Sequence, residues 1–176
     1  MQDEINPIEN LNVLLGVRVD KHIKSEDFLS PRVGILYKSQ SDLGIRVSYG
    51  SSFRSPTLNE LYWNDPVWLM YGDPNLKPEK SAGLDIGIRK EIDNSLSFDL
   101  SYFTHTVTDM IIWQYDPSTF TTTASNIDSA QAEGFEIEFK HSLRDWLKFS
   151  FNTTLQRSVR IYDKDPSLVG KDLPYS

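Results

Sequence analysis

Runs of alternating apolar and polar residues, joined by connections that are by turns short and long, predict an all-β chain with aromatic residues gathered near the ends of its strands. The fold class they imply is an antiparallel, up-and-down transmembrane β-barrel segment of about seven or eight strands. Alternation matters because successive side chains of a strand leave on opposite faces, so a period of two separates an apolar surface from a polar one. Length matters too. Soluble strands most often have about 5–6 residues, whereas a tilted strand needs about 9–11 to cross hydrocarbon.

The first strand is read from Leu11, Val13, Leu15, Val17 and Val19, which alternate with Asn12, Gly16 and Arg18; Leu14 is the lapse. Val33, Ile35 and Tyr37 against Arg32, Gly34 and Lys38 give the second, and Leu43, Ile45, Val47 and Tyr49 against Gly44, Arg46, Ser48 and Gly50 the third. The pattern resumes with Leu84, Ile86 and Ile88, then with Leu96, Phe98, Leu100 and Tyr102. Two more strands follow, from Phe135, Ile137 and Phe139 and from Leu147, Phe149, Phe151 and Leu155. In a bilayer the apolar row faces lipid, and Arg46, Asp85, Asp99, Glu136 and Glu138 face inward. Register is fixed by those faces, since a slip of one residue would carry Arg46 toward lipid, where an Arg at mid-bilayer costs about 2–4 kcal/mol.

Short joints are expected at Ser39-Gln40-Ser41-Asp42, Ile92-Asp93-Asn94 and Ser142-Leu143-Arg144-Asp145, all rich in turn-forming residues. Long ones are expected at Asp20 to Asp27, Ser52 to Lys80 and His105 to Ala130, with another opening after Val159. Within the third, Val107 to Tyr115 and Phe120 to Ala124 read as a hairpin lifted above the membrane. Such parity suits a barrel with tight turns on one side and long loops on the other; a soluble sandwich has no reason to keep it. Phe28, Tyr49, Phe53, Tyr102 and Phe103 on the long-loop side, and Tyr37 and Trp146 on the other, resemble two interfacial girdles. Aromatics also favour strands in general.

Composition narrows the function classes. The 176 residues carry 18 basic and 25 acidic side chains for a net charge of −7, which disfavours attraction to nucleic acid. No apolar run approaches the roughly 18 residues of a spanning helix. With no cysteine there is neither a disulfide framework nor a thiol nucleophile. The start, Met1 to Pro7, has no basic or apolar signal region, so an exported protein would have its true N-terminus elsewhere.

The stretch Tyr49-Gly50-Ser51-Ser52-Phe53-Arg54-Ser55-Pro56-Thr57-Leu58-Asn59-Glu60-Leu61-Tyr62 closely resembles a signature of TonB-dependent outer-membrane receptors. Gly72-Asp73-Pro74-Asn75-Leu76-Lys77-Pro78-Glu79-Lys80-Ser81 is similar to a second, and Asn126-Ile127 through Ala132-Glu133-Gly134-Phe135-Glu136 to a third. The resemblance runs from about Leu11 to Leu173-Pro174-Tyr175. It implies that residues 1–176 are a partial, incomplete receptor barrel from the later half of a much larger one, without the plug domain and its energy-coupling segment. It further implies a Gram-negative outer membrane, lipid around the barrel, a small-molecule ligand such as an iron–siderophore chelate or cobalamin, and a TonB complex acting through the missing plug region.

Physically the motif residues read as scaffold. Thr57 with Glu60 three residues on forms a capping box, and Pro56 stiffens the approach. Pro74 and Pro78 cannot donate to a ladder and hold Leu76 and Lys77 extended until Ser81. Gly134 allows a bulge or a close approach where its strand begins. Phe53, Arg54, Leu61, Tyr62, Glu79 and Glu136 complete the structural set.

Trp63, Trp68, Tyr71, Trp113 and Tyr115, on the two longest loops, are the candidates for contacting a bulky ligand, though they could equally pack the loops together. No catalytic constellation, cofactor or metal site is expected. His22, His105 and His141 fall in separate loops or turns, and Asp20, Glu26, Asp27, Asp109, Asp116 and Asp128 make an acidic outer surface more readily than a calcium site. Two rival readings stand beside the transporter: a small closed barrel with a structural or adhesion role, completed by one more strand near the end, and a soluble β-sandwich binding module.

Overall fold

The computed structural model describes residues 2–21, 27–93, 95–162, 167 and 169–172. His22, Glu26, Asn94 and the Leu173-Pro174-Tyr175 end lie outside the described residues, as does the side chain of Asp128. Two compact units share the chain. One comprises Met1–Ser52, Ala82–His105 and Ala132–Arg157, and the other Phe53–Ser81, Thr106–Gln131 and Ser158–Ser176.

The elements are β1 (Gln2–Ile8), β2 (Leu11–Asp20), β3 (Phe28–Lys38), β4 (Leu43–Arg54), α1 (Leu58–Tyr62), β5 (Asn64–Asp65), β6 (Met70–Tyr71), β7 (Glu79–Asp93), β8 (Leu96–Asp116), β9 (Thr121–Arg144) and β10 (Leu147–Tyr162). The long strands pair with their neighbours in chain order as an up-and-down meander, β6 lies on β9, and β5 lies on β6. Among the described residues β1 and β10 each have a single neighbour, so the sheet is open. The all-β, incomplete-barrel architecture expected from the sequence is therefore present, with one departure: β6 pairs with β9 in parallel.

Register explains how the faces persist from strand to strand. Leu15 lies opposite Val33, which lies opposite Tyr49; Val13, Ile35 and Val47 form the next row, and Leu11, Tyr37 and Ile45 the third. Leu14, the residue that broke the alternation, sits opposite Gly34, where even a Cβ would touch it at 3.4 Å. Gly34 gives Leu14 room on the polar face without being required for it.

The apolar rows stay uncovered. Ile45 is 37% exposed, Ile86 41% and Phe149 52%, and Val13 is half-buried. A sandwich would bury these side chains between sheets at roughly 10 Å spacing. Large apolar surface left open on a protein signals another solvent or partner, and here it runs along strands long enough to cross a bilayer.

In the first unit the opposite face carries ions. Arg46 of β4 forks onto Asp99 of β8, its two Nη atoms donating at 2.8 and 2.7 Å. It passes β7 at Gly87, where a Cβ would stand 2.6 Å from Arg46 Nε. Ser48 donates to Asp85 at 3.2 Å, and His105 Nε2 lies 3.7 Å from the same carboxylate. Of the five side chains assigned inward, Arg46, Asp85 and Asp99 belong to this lattice, and Glu138 pairs with Lys140 at 2.7 Å.

Several expectations are corrected. The additional strand is at the start, not near the end: β1 pairs with β2 through Ile5 and Val13, with a register shift before Ile8. Its sequence hides it, because charges and Pro7 interrupt the alternation. His105 to Ala130 is not an open loop but the far ends of β8 and β9, with a turn at 117–120; the hairpin is there, continuous with its parent strands. That joint is short, so the strict short–long parity lapses here. His105 and His141 consequently lie in strands, the latter stacked on Phe139 at 6.4 Å. Gly134 lies inside β9 and not at its start; a Cβ there would stand 2.9 Å from the Phe103 ring, so the close approach is real. β7 begins at Glu79, two residues before Ser81, and the tight turn before β10 is Asp145-Trp146.

The two faces make opposite predictions. In the lipid-reconstituted parent protein, Ile86→Arg is expected to cost about 2–4 kcal/mol and Ser97→Arg, on the polar face, far less. Urea titration of folding into vesicles measures both, and equal losses would erase the distinction.

Candidate functional site

The second unit ties the three sequence motifs into one knot. Pro56 leads into Thr57, whose Oγ accepts the Glu60 N–H at 3.2 Å. Glu60 returns the favour, its Oε2 accepting from the Thr57 N–H at 2.7 Å and hydroxyl at 3.0 Å. Helix α1 has only five residues and no buried one, so it depends on this box for its first turn.

Arg54 joins the first motif to the second. Its guanidinium donates to Glu60 at 2.9 and 3.1 Å and to Glu79 at 2.7 Å twice. Glu79 also accepts the Ile111 N–H at 2.7 Å, which brings in β8. Only arginine presents a planar fork able to hold two carboxylates in this way.

Asn126 joins the third. Its Oδ1 accepts from the Lys77 N–H at 2.9 Å, and its Nδ2 donates to the carbonyls of Lys77 at 3.1 Å and Asp109 at 2.6 Å. Asp109 adopts a left-handed φ of 53°. Beneath these polar ties Leu76, Ile111 and Ala124 are buried with Leu61 against them. The prolines thus hold Leu76 in a small core while Lys77 meets the clasp. Gly72 N donates to the Trp63 carbonyl at 2.7 Å; a Cβ on Gly72 would stand 2.6 Å from the Glu60 carbonyl, so glycine is needed for the chain to close behind α1.

Beside the helix lies a cavity of about 350 Å³ lined by Thr57, Asn59, Glu60, Trp63, Met70 and Trp113. Of the five aromatic candidates, Trp63 and Trp113 meet here. Trp68 sits exposed on the turn between β5 and β6, Tyr71 lies in β6, and Tyr115 is exposed near the end of β8. Trp113 and Tyr115 are strand residues of the hairpin expected within the third long connection. Of the structural set, Phe53 lies half-buried one residue before the end of β4, Tyr62 is exposed, Pro74 forms a turn with Asn75, and Pro78 is half-buried before β7. Gly134 and Glu136 belong to the first unit.

Sequence reading missed Asn59 and Met70 as lining residues, and it missed the bridging roles of Arg54 and Asn126 and the part of Asp109 in the latter. One signal was available: opposite charges at fixed places in two motifs.

Among the described residues no three His, Asp or Glu side chains converge as a metal site would require. Asp20 pairs with Arg18 at 2.7 Å, and Asp116 caps its own turn by accepting from Ser118 N–H and hydroxyl at 2.8 and 2.7 Å.

Burial pushes the Glu60 carboxyl up, but Arg54 and the two Thr57 donors outweigh it and hold the group below its ordinary value. A depressed carboxylate stabilises the fold above its unfolded value and loses that contribution as pH falls through the folded one. The cap is accordingly expected to be intact above the ordinary glutamate value of 4.5 and to weaken below it. Acid titration of tryptophan emission in the parent protein should show this component, and Glu60→Gln should remove it.

Arg54→Ala is expected to cost about 1–3 kcal/mol, the guanidinium being partly exposed. Arg54→Lys should recover little of this, since an ammonium cannot fork. Hydrogen exchange at the Ile111 amide reads the effect, and unchanged protection in both variants would contradict the knot.

The family described as "TonB dependent receptor-like, beta-barrel" matches residues 1–176. The vitamin B12 transporter BtuB of Vibrio vulnificus is 41% identical over 91 residues, covering 52% of this chain and 14% of that protein. A hemin receptor of Yersinia pestis is 28% identical over 186 aligned positions, covering 88% and 27%. The chain thus spans only a small part of these relatives' length. Among solved structures, the siderophore receptor PirA of Pseudomonas aeruginosa superposes with a TM-score of 0.80 at 20% identity, over 91% of this chain and 34% of that one, a likeness of fold alone.

Proposed function

The chain belongs to the TonB-dependent receptor β-barrel family, and from that premise we propose that it forms barrel wall and outer loops of an outer-membrane transporter for a scarce nutrient complex. The ligand is of iron–siderophore, hemin or cobalamin type, in keeping with what the relatives are named for. The parent protein sits in the outer membrane of a Gram-negative bacterium, surrounded by lipid. Its plug region meets the TonB complex, which supplies the energy. It is a transporter and not an enzyme, as its family is.

One observation carries this reading: long strands expose an unbroken apolar row on one face and bear an ionic lattice on the other. A soluble sandwich module is disfavoured by the same rows. A small closed barrel of structural or adhesive role is disfavoured by β1 and β10, which are not paired with each other among the described residues.

The outer parts are shaped by the Arg54 and Asn126 ties, so that Trp63 and Trp113 are held in place for a ligand rather than waiting on a loose loop. Trp68, Tyr71 and Tyr115 offer further aromatic surface in the same unit. Phe53, Arg54, Pro56, Thr57, Glu60, Leu61, Tyr62, Pro74, Leu76, Pro78 and Glu79 build the support.

Uptake of radiolabelled cobalamin, hemin iron and a ferric catecholate siderophore by the host bacterium tests the proposal. Deleting the parent gene should abolish uptake of one of them, and dissipating the proton-motive force should do the same with the gene intact. Unchanged uptake of all three after deletion would refute it.

A further inference from the structure

We propose that the cavity beside α1 takes a flat, acceptor-bearing organic group of the ligand against Trp63 and Trp113, and does not contact the metal or a cationic part. The inference rests on the transport reading above and adds which portion of the ligand this unit recognises.

Three features of the lining point to that chemistry. First, the carboxylate in the wall is already engaged: Glu60 carries Arg54 on both oxygens and Thr57 on one. Thr57 is likewise committed, its hydroxyl donating to Glu60 and accepting from the Glu60 N–H. A cation entering the site would have to compete with a guanidinium held at 2.9 Å. Second, the groups left over are chiefly donors. Among the described residues the indole N–H groups of Trp63 and Trp113 and the amide of Asn59 make no side-chain hydrogen bond, and an indole can donate but not accept. A ligand with carbonyl, phenolate or ring-nitrogen acceptors would satisfy them. Third, two tryptophans and a methionine are among the lining residues, side chains suited to stacking and sulfur contacts with an aromatic or conjugated ring.

Size sets the limit. A volume of about 350 Å³ is at the small end of ligand sites, which run from roughly 300 to 1,000 Å³. It holds one ring system of a bulky chelate and leaves the rest outside. The support is built for it: β6, which carries Met70, is fastened to β9 by Met70 with Thr122 and Tyr71 with Thr123, and Gly72 lets the chain close behind the helix.

The test uses the full-length receptor in detergent, with cyanocobalamin, hemin and ferric enterobactin as probes and calorimetry as the readout. Trp63→Ala and Trp113→Ala are each expected to weaken the recognised probe about 3- to 10-fold. Trp63→Phe and Trp113→Phe, which keep a ring and lose the donor, should fall between. Asn59→Asp, which places an unneutralised carboxylate against ligand acceptors, should weaken binding at least as much as the Phe variants. Trp146→Phe, in the turn before β10, should bind as the unaltered receptor does. Thermal unfolding of each variant separates loss of fold from loss of contact, and the Phe variants carry the test if the Ala ones unfold. Unaltered affinity in the Trp63 and Trp113 variants would overturn the inference while leaving the transport reading intact. Equal loss in Trp146→Phe would also overturn it. A receptor that binds none of the three probes would overturn both.

Discussion

A strand surrounded by hydrocarbon has no water to satisfy its N–H and C=O groups, so each must be paired with a neighbouring strand. That constraint dictates what is seen here: long strands, consecutive pairing and regular ladders from β2 to β4. It also frees the side chains to differ completely between faces, because backbone pairing does not depend on them. Apolar residues can then remain on one face without a core to bury them, and charges can gather on the other.

Charges on a crowded face need space as well as partners. Arg46 reaches an aspartate two strands away only because Gly87 leaves the intervening strand bare. Gly87 is therefore a gap with a tenant, the Arg46 side chain. Small and large residues in this sheet are matched across strands and not along them.

The second unit solves a different problem. Away from regular ladders a loop must satisfy its backbone by other means. Here three side chains do much of it: Thr57 and Glu60 cap α1, and Asn126 takes both the N–H and the C=O of Lys77. Arg54 then neutralises Glu60 and Glu79 together, which leaves the adjoining cavity with spare donors and little spare negative charge. Structural ties and the chemistry offered to a ligand are thus two effects of one guanidinium.

Faces, strand direction and most strands were legible in the sequence because their signal is local: a period of two survives whatever the neighbours are. The capping box was legible for the same reason, with donor and acceptor three residues apart. β1 was not, since Pro7 and its charges erase the period and only pairing with β2 reveals the strand. The hairpin at the outer ends of β8 and β9 was legible too, but not its continuity with the parent strands, because threonines and polar residues interrupt the period between them. Which motif residues meet was decided by the tertiary structure alone. Arg54 and Glu79 are 25 positions apart, Lys77 and Asn126 49, and no periodicity spans such gaps. Strand register sets those distances, and register is a property of the whole sheet.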